Sequence, residues 1–95
     1  MNRTQERWVF DIETRGLLPN LSQPEDLFII TAEEITTGET VAVRLGECEA
    51  FAKRLYAADQ LIGHNIYNFD LPALQACLGW WDLSLIHISE PTRPY

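Results

Sequence analysis

The chain alternates short apolar runs with polar breaks, and the period of the apolar positions changes along it. Trp8-Val9-Phe10-Asp11-Ile12-Glu13 is an apolar run interrupted by two acids and rich in β-formers, which reads as a buried strand. Thr14-Arg15-Gly16 breaks it, and residues 17–26, with Pro19, Asn20, Ser22 and Pro24, read as a loop. Leu27-Phe28-Ile29-Ile30-Thr31-Ala32 predicts a second strand. Thr36-Thr37-Gly38-Glu39 predicts a hairpin turn, and Thr40-Val41-Ala42-Val43-Arg44-Leu45 the returning strand, completing an antiparallel meander. From Glu47 to Ala58 the period shifts: Cys48, Phe51, Ala52, Leu55 and Tyr56 recur at three- and four-residue spacing, one face of an amphipathic helix, with Glu47 and Glu49 where acids suit the helix dipole. Gln60-Leu61-Ile62-Gly63 predicts a short buried strand and residues 64–68 a loop. Asp70 to Leu78 predicts a second helix, with Pro72 near its first turn, Gly79 past its end, and Leu71, Leu74 and Leu78 as its apolar stripe. The order β-β-β-α-β-α predicts an α/β fold, a mixed sheet with helices against it.

Composition narrows the classes. Ninety-five residues allow at most one domain with a small core, and 46% apolar residues are ordinary for a globular chain. No run is long enough to span a membrane, and residues 1–7 lack the apolar stretch of a secretory signal, so a cytoplasmic setting (bacterial, or a phage-infected host) is expected. Cys48 and Cys77 stand far apart without metal-ligand spacing and are expected to remain reduced thiols. A net charge of −7 speaks against holding nucleic acid through a general basic field. It leaves two readings: a solvated acidic surface, or carboxylates that converge on divalent cations.

Position bears on that choice. Residues two apart on a strand share a face, so Asp11 and Glu13 lie side by side while Ile12 points into the opposite layer. Paired carboxylates repel, a cation between them removes the cost, and oxygen ligands of this kind suit Mg²⁺ or Mn²⁺. Taken alone, D-x-E on a strand is more often just its solvent-facing side. Asp70 opens a helix after Leu61-Ile62-Gly63-His64-Asn65 and a short loop, and the ordinary task of an Asp there is to cap the helix. Asn65 also fits a turn, Phe69 and Leu71 also fit a core, and His64 reads as a hydrogen-bonded loop residue.

Two segments together carry a resemblance. Asp11-Ile12-Glu13-Thr14 resembles the first motif of the DEDD-type 3′→5′ exonucleases, and residues 63–74 (Gly63-His64-Asn65-Ile66-Tyr67-Asn68-Phe69-Asp70-Leu71-Pro72-Ala73-Leu74) resemble the second, H-N-x-x-x-[FY]-D-x-P-x-L. The version here is most similar to the proofreading domains of phage-type family-A DNA polymerases, and the resemblance covers most of residues 8–82. It implies a truncated ribonuclease H-like fold: a mixed sheet of three antiparallel strands plus a further strand, with two helices. It also implies that Asp11, Glu13 and Asp70 are catalytic metal ligands for two Mg²⁺ or Mn²⁺ ions, one activating water and one stabilising the leaving 3′ oxygen. The implied substrate is the 3′ end of single-stranded DNA, with Asn65 positioning the strand or the loop and Thr14 and Phe69 flanking the terminal nucleotide or packing beneath the site. A polymerase domain of the same parent chain is the implied partner. A stand-alone DNA or RNA exonuclease of the superfamily is the near alternative, and a non-catalytic acidic interaction module the distant one.

Past Asp82 the pattern departs from that family. Residues 83–95, Leu83-Ser84-Leu85-Ile86-His87-Ile88-Ser89-Glu90-Pro91-Thr92-Arg93-Pro94-Tyr95, resemble a translated sequencing adapter, the transposase mosaic end of tagmentation libraries, in one frame from Leu83 to Arg93. By its apolar content Leu85-Ile86-His87-Ile88 would otherwise pass as a strand. A foreign segment is set aside from fold reasoning, so His87 receives no role. The family's third motif, with a fourth acid and a Tyr or His base four residues before it, does not follow, and Asp82 has no such context. Residues 1–82 are therefore expected to be the N-terminal part of an exonuclease domain, nearly inactive by itself.

Overall fold

The computed structural model describes residues 5–63, 66–82 and 88–89. The elements are β1 (Arg7–Thr14), β2 (Leu27–Glu34), β3 (Thr40–Arg44), α1 (Cys48–Tyr56), β4 (Gln60–Ile62), α2 (Leu71–Cys77) and β5 (Ile88–Ser89). They form an α/β fold with a mixed sheet in the order β3-β2-β1-β4-β5. The first three strands are the antiparallel meander read from the sequence, and β4 joins β1 in parallel. Two helices and this mixed sheet are consistent with a truncated ribonuclease H-like fold. The fifth strand extends the four-stranded expectation: Ile88–Ser89, in the tail set aside above, pairs in parallel with Leu61–Ile62.

Alternation along β1 decides which face is core. Trp8, Phe10 and Ile12 are buried, while Val9, Asp11 and Glu13 are exposed on the other side. The helices supply the opposing layer. The α1 stripe of Cys48, Phe51, Ala52 and Leu55 is buried as its spacing predicts, and Phe51 meets Trp8 edge-on with ring centroids 5.3 Å apart. In α2, Leu71, Ala73, Leu74 and Cys77 join the same core, followed by Leu78 and Trp81. Burying such side chains stabilises by about 1.5–3 kcal/mol each for the larger aliphatics. Cys48 and Cys77 are buried free thiols, and burial pushes Cys77 up to about 11.

Two local devices fix the meander. Glu34, at the end of β2, is buried and turns its carboxylate onto the hairpin, accepting the Arg7 and Thr37 backbone N–H groups at 2.8 Å each and the Thr37 hydroxyl at 3.1 Å. Gly38 sits in this turn at φ 78°, a left-handed conformation that glycine adopts without steric cost. In the predicted loop between β1 and β2, Pro19 and Pro24 lie in two short 3-10 turns (Leu18–Asn20 and Pro24–Asp26). The buried Asp26 carboxylate ties the second turn by accepting from the Ser22 and Gln23 backbone N–H groups.

One sequence expectation is corrected here. Residues 66–68 were expected in a loop, but Ile66–Asp70 is a single π-helical turn running directly into α2. Ile66 is fully buried and anchors the turn against the core, so packing overrides the loop-like Asn68.

Candidate functional site

β4 runs beside the first half of β1 (Arg7–Val9), and Gly63, which follows it, lies close to both Phe10 of β1 and Asp70 at the start of α2. Asp11 and Glu13 project from the exposed face of β1, each two residues from the other as the strand period requires. The register sets them in cross-strand rows: Asp11 beside Thr31 and Ala42, Glu13 beside Ile29 and Arg44. Val9, Asp11, Thr31, Glu33, Thr40 and Ala42 thus line an open groove over the sheet.

Asp70 arrives from the other direction. It ends the π-helical turn and stands at the N-cap position of α2, yet its side chain makes no capping hydrogen bond, which removes the ordinary explanation for an Asp at a helix start. It is instead 3% exposed. Its Oδ2 lies 3.2 Å from the position a Cβ on Gly63 would take, and that same position is 3.5 Å from the Phe10 carbonyl oxygen. The carboxylate is therefore seated over the seam where β4 runs beside β1, next to the residue that precedes Asp11. Burial first, and the Asp11 carboxylate second, push Asp70 up to about 6.

The sequence-predicted residues divide accordingly. Asp11 and Asp70 are near enough for the Asp11 charge to raise the Asp70 carboxyl. Glu13 shares the Asp11 face and remains exposed. Thr14 donates its hydroxyl to the Gly16 carbonyl at 3.0 Å, and Phe69 is half-buried against the core. Asn65, like His64, lies outside the described residues. Among the described residues, no group of three or more His, Cys, Asp and Glu side chains is gathered closely enough to hold a metal ion. What the described geometry supplies is a pair, one carboxylate buried and one exposed, whose mutual repulsion a hard cation would relieve through oxygen ligands. Gly63 is the residue that sequence reasoning passed over. It entered only as the end of a predicted short strand and as the residue before His64 in the motif segment, although a glycine at a strand end hints at a close approach.

Among the described residues no helix is long and apolar enough to cross a membrane. Neither a protein-family profile nor a curated protein matches the chain. Among solved structures it is similar in fold to the family B DNA polymerase from the hyperthermophilic archaeon Pyrobaculum calidifontis, with a TM-score of 0.54 and 18% sequence identity. The likeness covers 90% of this chain and 13% of the polymerase chain. At that identity the likeness is one of fold.

Proposed function

We propose that this chain is part of a metal-dependent 3′→5′ DNA exonuclease domain associated with a DNA polymerase. The observation that carries the reading is the seating of Asp70: a buried carboxylate that caps no helix, lies at the end of β4 and is pushed up by its burial and by the Asp11 charge. A carboxylate is not buried near a second negative charge for stability, since both burial and that charge raise the cost of ionising it. The fold likeness to a DNA polymerase chain supports the same reading, as do the motifs around Asp11-Ile12-Glu13-Thr14 and residues 63–74.

In this reading Asp11, Glu13 and Asp70 hold Mg²⁺ or Mn²⁺, and the oxygen-only donor set fits those hard ions. Such ions, when bound, lower the pKa of water and stabilise charge on a leaving oxygen. The protein's own part is positional. The sheet fixes Asp11 and Glu13 on one exposed face, the buried turn before α2 holds Asp70 where the Asp11 charge reaches it, and a bound ion would have to draw the three together. Thr14, at the end of β1, and Phe69, beside Asp70, flank the terminal nucleotide of a single-stranded 3′ end or pack beneath the site, and Asn65 positions the strand or the loop. A stand-alone DNA or RNA exonuclease with the same carboxylates is the nearest variant of the reading.

A non-catalytic acidic module is the competing reading, and the exposure of Asp11 and Glu13 favours it. Thermal unfolding of the full chain with and without Mn²⁺ separates the two. The exonuclease reading expects Mn²⁺ to raise the Tm of the native chain and to leave that of an Asp11→Ala variant nearly unmoved. An equal shift in both chains would overturn it.

A further inference from the structure

We infer that Gly63 is a positioning residue for Asp70, its missing side chain being the space in which the Asp70 carboxylate is seated beside β1. The functional consequence rests on the reading of Asp11 and Asp70 as metal ligands; the steric relationship does not. Gly63 follows β4 directly, and the parallel register, with Val9 opposite Ile62, carries it alongside Phe10. A Cβ there would meet Asp70 Oδ2 at 3.2 Å, Ile66 Cβ at 3.4 Å and the Phe10 carbonyl oxygen at 3.5 Å.

The contrast with three of the other four glycines gives this its meaning; Gly79 has neither a positive φ nor a neighbour within 4 Å. Gly16, Gly38 and Gly46 have positive φ values of 104°, 78° and 95° with open space around them, so they are glycine for the sake of backbone conformation. Gly63 is not in the left-handed region, so its backbone admits any L-residue; what a side chain there would crowd is its neighbours, Asp70 first. Of these, the Phe10 carbonyl belongs to β1, and Ile66 Cβ is fixed by the buried π-helical turn. The Asp70 carboxylate is the free end of a side chain and is also the closest contact. A methyl group at position 63 therefore makes the Asp70 carboxylate give by a few tenths of an ångström, turning about its side-chain bonds out of the place in which it is seated.

A double-mutant cycle on the full chain tests this, with Gly63→Ala, Asp70→Ala and the double variant measured by thermal unfolding in EDTA and by Mn²⁺ titration calorimetry. Gly63→Ala should lower the Tm when Asp70 is present. In the Asp70→Ala background it should leave the Tm level or raise it, because alanine then fills free space and restricts the unfolded chain. It should also weaken Mn²⁺ binding by roughly tenfold, the usual cost of losing an outer-shell support, and change it by less than about twofold once Asp70 is gone. Should Gly63→Ala alone fail to fold while the double variant folds, the crowding is against Asp70 and the inference stands. Equal destabilisation in both backgrounds, or misfolding of both variants, would place the clash on Ile66 or Phe10 and overturn it. An unchanged Mn²⁺ affinity in Gly63→Ala, with the native chain binding, would equally overturn the positioning role. A native chain without Mn²⁺ affinity but with the Tm coupling intact contradicts the metal reading and still supports the seating of Asp70 by Gly63.

Discussion

Asp70 is buried beside Asp11 and carries the cost of that position: burial, and then the Asp11 charge, hold its carboxyl at about 6 instead of 3.8. The sign of the linkage follows. Below the unfolded value the group is protonated in both states and contributes nothing. Between that value and about 6 the folded chain holds a proton that the unfolded chain has released, so stability falls as pH rises, and above about 6 the penalty is constant. Asp70→Asn should therefore stabilise the metal-free chain at neutral pH, by up to about 3 kcal/mol, with the gain vanishing below the ordinary carboxylate range. Urea unfolding in EDTA across pH 3–8, in steps of about one unit, checks it; a variant less stable than the native chain at neutral pH would show that Asp70 is held by favourable contacts.

Glu34 has the opposite sign. The Arg7 backbone N–H, and then those of the Thr36–Thr37 turn, hold its carboxyl below the ordinary 4.5. The stability it contributes is present above the unfolded value and lost as pH falls through the folded one. Glu34→Ala should lower the Tm at neutral pH by leaving the Arg7 and Thr37 N–H groups without their acceptor, and the deficit should narrow in acid. Amide hydrogen exchange should quicken at Thr37 and Arg7 in the variant. Unchanged protection there would sink the assignment of Glu34 as the clasp of the hairpin.

Arg54 joins three parts of the chain at the surface. Its guanidinium reaches Glu39 at 3.0 Å and Glu6 at 3.2 Å and lies 4.9 Å from the centre of the Trp8 ring. Exposed pairs contribute little each, but a fork shared between two carboxylates and an aromatic face exceeds a single pair. Arg54→Ala should cost about 1 kcal/mol at low ionic strength and less at high salt. Arg54→Lys should recover part of it. Salt-independent loss measured by denaturant unfolding would point to packing of the stem against Trp8 instead of charge.

How far the sequence reveals these relationships depends on their range. The alternation of Trp8, Phe10 and Ile12 with Val9, Asp11 and Glu13 makes the two faces of β1 legible, and the spacing of Cys48, Phe51, Ala52 and Leu55 does the same for α1. Both depend on neighbours within a few residues. Residues 66–68 read as part of a loop, and the burial of Ile66 against the core draws them into the helical turn Ile66–Asp70. Glu34 carries no local signal of its role, because its partner Arg7 lies 27 residues away. The acids of the candidate site were legible as residue types in their motif frames. That Asp70 forgoes capping, and that Gly63 makes room for it, depends on β4 meeting β1, a relationship that local pattern does not encode.

The most direct test of the central claim is Mn²⁺ paramagnetic broadening of backbone amide signals in the full chain. If Asp11 and Asp70 hold the ion, sub-stoichiometric Mn²⁺ should broaden the amides of residues 10–13, Gly63 and 69–71 first, and Asp70→Asn should abolish that pattern. Broadening spread evenly over the exposed acids, with Glu25, Glu33, Glu39 and Glu47 affected as early as Asp11 and unchanged in Asp70→Asn, would contradict a metal site and leave an acidic surface.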